Sequence, residues 1–341
     1  MEVPGFRHNI PAEPAYTAPQ VSSWLRHLRL PERYHQYIDN PMAIPKTSES
    51  LATLFRCQIT TFPYENLTVH YSPTHLVDIK PDALYRKMME DTSRGRGGYC
   101  MELSILFHHM LRGVGFRVTM TGVRNRTRTN GVPGGEYQGW THINNIIHLP
   151  DGSKYSADVA FGGDGPTAPL PMNDAATVHS NLGSQQVRLV HDGIGKQQLN
   201  EPRLWIYEYR NDPEGSWNAF YSFPELEFFQ EDFEVQNWWA CAHTLHRWTV
   251  LAVRFLRPGE PVELVLPGEG EAAGESGSDA SIAGKVMLVN DLVKVNLGGK
   301  TRVLCRLESE TDRIAALQTY FNIHLGEEEM RAIRGWDMAL S

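Results

Sequence analysis

From Leu103 onward, apolar residues return every three or four positions: Leu103, Leu106, Phe107, Met110, Leu111 and Val114. That spacing gathers them on one face of an α-helix. Gly113 and Gly115 supply a stop, and the helix starts at or just after Cys100. Upstream, helical patterns cover 20–38, 48–57 and 82–91, punctuated by Pro41, Pro63 and Pro81. Between 116 and 222 the period changes. Runs at 116–122, 141–149, 154–161 and 204–209 are rich in β-branched and aromatic residues, with Gly, Pro, Asn and Asp between them, and predict a compact sheet or barrel. Pro150-Asp151-Gly152-Ser153 predicts a turn joining two of these runs. Residues 224–246 read as a helix, with Trp238-Trp239 expected as a core anchor. Strand-like runs follow at 248–256, 261–266, 285–290 and 301–307, then a helix over 311–321. The Gly/Ser/Glu-rich stretch 267–284 predicts a mobile surface loop.

Composition narrows the class without naming a function. A chain of 341 residues with 41% hydrophobic and 10% aromatic positions can build a large core, in roughly two or three domains of ordinary size. Its 40 acidic residues outnumber 32 basic ones, for a net charge of −8. That balance gives no footprint for nucleic acid or an anionic membrane. Neither a long apolar span nor the apolar core of a secretory signal is found, and no internal repeat. Four cysteines, Cys57, Cys100, Cys241 and Cys305, form no CxxC pair. The expectation is a soluble, reduced, cytoplasmic protein.

The chemistry concentrates before the strongest helix. Arg94-Gly95-Arg96-Gly97-Gly98-Tyr99-Cys100 is a Gly-rich turn delivering a cysteine to a helix start. Unpaired backbone N–H groups and the positive end of the helix dipole favour a thiolate there, and the glycines admit a substrate close to the backbone. Two readings stay open on these grounds: a nucleophile, or an inert buried thiol beside a tight turn.

A cysteine nucleophile needs a base, and the base an orienting acceptor. His142 begins one strand run and Asp158 lies in the run after the turn. If the hairpin folds about Asp151, position 142 faces 160 and 158 faces 144, leaving His142 and Asp158 as diagonal neighbours on one face. A strict two-residue Asp151-Gly152 turn would separate them onto opposite faces. The pairing therefore predicts an odd loop or a bulge, and His142 as a plain strand-end residue is the alternative. His108-His109 point in different directions on a helix, and His243 and His246 lack a further ligand, so no metal site is predicted. The glycine loop lacks the Lys-Ser/Thr ending of a phosphate loop.

With these residues in hand, the sequence resembles the arylamine N-acetyltransferase family, and its fungal members in particular. Phe62-Pro63-Tyr64-Glu65-Asn66-Leu67 is similar to the family's PFEN-type segment, and Arg96-Gly97-Gly98-Tyr99-Cys100 to its RGG-aromatic-Cys signature, with Glu102 close behind. Thr141-His142, Asp158-Val159-Ala160-Phe161-Gly162 and Tyr320-Phe321-Asn322-Ile323 resemble the histidine strand, the DxGFG segment and the C-terminal helix. Ala160 departs from the usual glycine, and Gln138-Gly139-Trp140-Thr141 from the usual CoA-contact sequence.

The resemblance implies an α+β, three-domain fold: a helical bundle (1–115) carrying the nucleophile, a β-barrel (116–223) carrying the histidine and aspartate, an interdomain helix (224–246) and an α/β lid (247–341). It implies a Cys100–His142–Asp158 triad laid out as in cysteine proteases, with Glu65 and Arg96 as structural support. Tyr64 and Phe161 are expected to line the acceptor pocket and Gly139 to contact CoA. The implied activity is ping-pong transfer of an acetyl or malonyl group from acetyl-CoA or malonyl-CoA to an arylamine or arylhydrazine. No permanently bound cofactor, metal, nucleic acid or membrane is expected. Arg124, Asn125 and Arg126 are candidates to meet a malonyl carboxylate, with a solvated loop as the alternative. A thiol hydrolase or transglutaminase-like enzyme with the same triad is the rival reading.

Overall fold

The computed structural model describes residues 15–129, 131–173, 175–260 and 281–341. The helices α1 (Ala18–His27) and α2 (Ser48–Thr61) come first, followed by a two-residue strand β1 (Tyr64–Glu65), α3 (Leu67–Tyr71), α4 (Pro81–Tyr85) and α5 (Cys100–Val114). The expected helix over 20–38 breaks at Leu28, where Arg29 takes a left-handed φ of 51° and Pro31 follows; 32–37 resumes as a 3-10 turn. Helix α5 is almost wholly buried and is the axis of the largest core cluster. It stops where the sequence predicts, with Gly115 in the left-handed region and its N–H on Leu111 and Arg112 carbonyls.

Strands β2 (Arg117–Thr129) and β3 (Val132–His148) form a long hairpin, joined by β4 (Lys154–Ala157), β5 (Leu170–Pro171), β6 (His179–Ser180), β7 (Gln186–Asp192), β8 (Leu204–Arg210) and β9 (Asn218–Phe223). Their order is β5-β4-β3-β2-β9-β8-β7-β6, and the sheet curls until β5 lies against β7. Inside it sit Val123, Ile146, Leu189, Trp205, Tyr207 and Tyr221. The β3–β4 register pairs Asn145 with Ala157 and His148 with Lys154, so the hairpin is centred on Asp151 with an odd loop.

Helices α6 (Gln230–His243) and α7 (Leu245–Trp248) lead to β10 (Leu251–Leu256), β11 (Gly284–Val289), β12 (Leu292–Asn296) and β13 (Arg302–Arg306), then α8 (Glu310–Phe321) and α9 (Glu327–Ala332). These strands form a second sheet, β1-β10-β11-β12-β13. The expected strand at 261–266 and all but the last residues of the expected loop at 267–284 lie outside the described residues. The Trp238-Trp239 expectation is corrected: these side chains are 61% and 49% exposed, because α6 turns Phe233, Asn237, Ala240 and Cys241 inward instead. Among the described residues no helix is long and apolar enough to cross a membrane.

Candidate active site

The glycine loop is shaped by the backbone around it. Gly98 donates to the Pro63 carbonyl and accepts from Glu65 N–H, which docks the loop along 63–65. A Cβ on Gly97 would stand 1.8 Å from the Pro63 oxygen, and one on Gly95 would meet the Asn322 oxygen at the same distance. Both positions therefore exclude any side chain. The loop ends at Tyr99, whose N–H donates to the Glu102 carboxylate at 3.0 Å, capping α5 so that Cys100 is its first residue.

Beneath the loop is a buried charge group. Glu65 accepts from Arg96 at 3.1 Å and from the Leu67 N–H at 2.7 Å, and lies 3.2 Å from Lys87, which also pairs with Glu102 at 2.8 Å. Arg96 reaches Glu329 of α9 as well, as does Arg94. Burial opposes the charge on Glu65, yet Arg96 and Lys87 hold its carboxyl well below the usual range. Glu102 moves the other way, raised by burial and by Glu65. Sequence reasoning missed Lys87 and Glu329, which no local motif marks.

His142 and Asp158 are brought together. Nε2 of His142 is 2.7 Å from Oδ2 of Asp158, with side chains 2% and 0% exposed. The odd hairpin register sets them diagonally, as the sequence argument requires. The other carboxylate oxygen accepts from the Ala160 N–H at 3.0 Å, fixing the acid's orientation. Asn145, three residues beyond His142, donates to the Ser104 carbonyl at 3.0 Å and ties β3 to α5.

Cys100 is buried in the same core cluster as Val159 and Ala160. Its thiol is pushed up by burial and then by the Asp158 charge, while the Met101 N–H pulls the other way. Desolvation thus works against the thiolate that the helix start favours.

Aromatic rings surround the histidine. Phe161 meets His142 edge-on at 5.1 Å and Phe220 at 4.6 Å, and Tyr221 lies 5.9 Å from the imidazole. A Cβ on Gly162 would first meet the ring of Tyr64, at 3.8 Å, and the Tyr64 hydroxyl is 3.5 Å from His246 Nε2. His246 is buried, with Nδ1 unpartnered, and burial and His142 hold its imidazole down at about 3. Tyr221, Phe220 and His246 join the cluster only through the fold. Gly139 lies apart, exposed on β3. Arg124 and Arg126 sit in β2 rather than a loop: Arg124 stacks on Trp140 at 3.7 Å and Arg126 donates to the Gly135 and Ala219 carbonyls. Among the described residues no cluster of three metal-ligating side chains occurs.

This architecture is that of solved arylamine N-acetyltransferases. The Salmonella typhimurium enzyme superposes with a TM-score of 0.70 at 23% identity, covering 93% of this chain and 98% of that one. The Mycobacterium marinum enzyme in complex with CoA gives 0.68 at 22%, covering 94% and 100%. A family model described as N-acetyltransferase matches residues 47–256, more than half of the sequence. The chain belongs to the arylamine N-acetyltransferase family, which makes it an acyl-CoA-dependent acyltransferase. Along 98% of its length it is 27% identical to N-malonyltransferase FDB2 of Gibberella moniliformis, covering 97% of that protein. A second relative, the arylamine N-acetyltransferase / N-hydroxyarylamine O-acetyltransferase of Salmonella typhimurium, is 29% identical over 59% of this chain and 63% of its own.

Proposed function

We propose that the protein transfers an acyl group from a CoA thioester to an arylamine or arylhydrazine through an acyl-cysteine on Cys100. The observation that carries this reading is the buried His142–Asp158 bond, whose carboxylate charge acts on a buried cysteine at a helix start. Because Nε2 is engaged by the carboxylate, Nδ1 is the nitrogen left to take the thiol proton. Burial pushes the Cys100 thiol up, and transfer of its proton to His142 offsets this by forming a thiolate beside an imidazolium that Asp158 stabilises.

The Cys100 sulfur then bonds to the thioester carbon, the bond to the CoA sulfur breaks, and the imidazolium returns its proton to the departing CoA. In the second half the amine nitrogen attacks the acyl carbon, His142 takes the amine proton, the bond from the acyl carbon to the Cys100 sulfur breaks, and His142 hands that proton to the sulfur, restoring the thiol. Backbone N–H groups at the start of α5 face the developing oxyanion. Tyr64 and Phe161, with Phe220 and Tyr221, offer flat apolar surface to an aromatic acceptor. Glu65 and Arg96 support the loop, and Gly139 provides an exposed backbone contact for CoA at the rim.

Full-length similarity to an N-malonyltransferase supports reading malonyl-CoA, beside acetyl-CoA, as a donor. Free cysteines throughout fit a reducing compartment, and the cytoplasm is the location proposed. Intact-protein mass after brief incubation with either donor, without amine, tests the reading. One acyl adduct on the wild type and none on Cys100→Ala is expected; an unmodified wild-type protein overturns it.

A further inference from the structure

The second sheet places lysines on a largely apolar face. Its register aligns Tyr64 with Val253 and Val253 with Met287, so these three share a face, and Lys285, two residues from Met287 and opposite Phe255, shares it too. Tyr64, Val253, Phe255 and Met287 belong to the core that contains Cys100, whereas Ala252, Val286 and Leu288 face the other core. Lys285 is only 6% exposed, and its ammonium donates to the Gly163 carbonyl. Gly163 lies two residues beyond Phe161, whose ring touches His142, and Tyr64 packs on Gly162 between them.

This lysine has no carboxylate partner among the described residues. The nearby Asp164 is taken by Arg128, and Asp158 by His142. Burial, and then the Arg128 charge, holds the Lys285 ammonium down at about 8. Lys294, paired in register with Met287, adds a second lysine to the same face. A methionine would fill this space without the cost of burying an unpaired cation, so packing alone does not explain the residue. A cation held dry on Gly163, two residues from the Phe161 ring that meets His142, suits an anion that arrives with the substrate.

We propose that Lys285, bonded to the Gly162–Asp164 turn, with Arg128 held on Asp164 of the same turn, forms a cationic cradle for an anionic group of the acyl donor, and that this group is the free carboxylate of a malonyl unit. The inference rests on the acyl-cysteine reading above. The same chemistry would also receive the phosphates of CoA, and the experiment separates the two.

The rate of Cys100 acylation is measured by intact mass with malonyl-CoA, acetyl-CoA and the CoA-free donor p-nitrophenyl acetate, for wild type, Lys285→Met and Lys285→Gln. Glutamine removes the charge while still offering an N–H donor, one bond shorter than lysine, toward the Gly163 carbonyl, and thermal melts verify folding of both variants. Both are expected to acylate from malonyl-CoA on the order of tenfold to a hundredfold more slowly, with acetyl-CoA and p-nitrophenyl acetate changed less than about threefold. Equal loss with both CoA donors and none with p-nitrophenyl acetate assigns the cations to CoA phosphates and overturns the carboxylate. Equal loss with all three donors, no loss, or a glutamine variant that behaves as wild type overturns the cradle. A wild type that accepts no acyl group from any donor overturns the acyltransferase reading itself, and the cradle's role with it.

Discussion

Arg96, four residues before Cys100, is ion-paired to Glu329 of α9, more than two hundred residues later in the chain. The C-terminal segment thereby closes on the loop that presents the cysteine, and His324 N–H adds a bond to the Arg94 carbonyl at 2.9 Å. Glu329→Ala should lower acylation rates several-fold by loosening this loop, at a stability cost of about 1–3 kcal/mol measured by urea unfolding. Glu65→Ala should cost more, about 3–5 kcal/mol, because it leaves Arg96 and Lys87 buried without their shared acceptor. Equal effects of the two substitutions would contradict this ordering.

The proposed proton path makes Asp158→Asn informative. An amide in place of the carboxylate stabilises the wrong imidazole tautomer and cannot support imidazolium. We expect kcat/KM to fall by about 10² to 10⁴ with the fold retained, read by steady-state kinetics alongside circular dichroism. A loss below tenfold would remove Asp158 from the mechanism.

Gly97 and Gly139 should respond oppositely to a single methyl group. Gly97→Ala places a Cβ against the Pro63 carbonyl, so the loop must move and expression or stability should drop sharply. Gly139→Ala meets nothing within 4 Å, and its melting temperature should match wild type. Its KM for acyl-CoA is then a clean readout of the proposed rim contact.

Acid should destabilise the protein well above the carboxylate range. Burial first, with neighbouring charges, holds His70, His109 and His148 at about 4 and His246 at about 3, against an unfolded value near 6.5. Between those limits the unfolded chain binds more protons than the folded one, so stability rises with pH; it is complete above 6.5 and is lost as pH falls toward 4. The melting temperature should decline steadily from pH 7 to pH 5. A flat profile over that window would mean that these imidazoles are not neutral through burial.

Helix α5 and its stop at Gly115 were legible because a long amphipathic period is a local signal. The odd loop between β3 and β4 followed from asking which register lets His142 and Asp158 share a face. Other features had no local signature. A two-residue strand such as β1 carries no period, and Trp238-Trp239 read as core because the face of α6 that turns inward is set by its neighbours. The helix position of Cys100 favours a thiolate, but the burial that pushes its thiol up is invisible in a linear pattern, which is why both readings of this cysteine stay open in the sequence.

The sequence by itself determined helix α5, the β-rich character of the middle of the chain, the Gly-rich delivery of Cys100 to a helix start and the register that pairs His142 with Asp158, because these depend on spacing, backbone freedom and side-chain chemistry within short stretches. The tertiary structure decided what lies against what. It brought Glu329 to Arg96, Lys87 to Glu65, His246 to Tyr64 and Lys285 to Gly163. Each pairing joins residues separated along the chain, by 22 positions for Lys87 and Glu65 and by more than a hundred for the others. Desolvation and charge pairing act through space, so only the folded arrangement sets their strength.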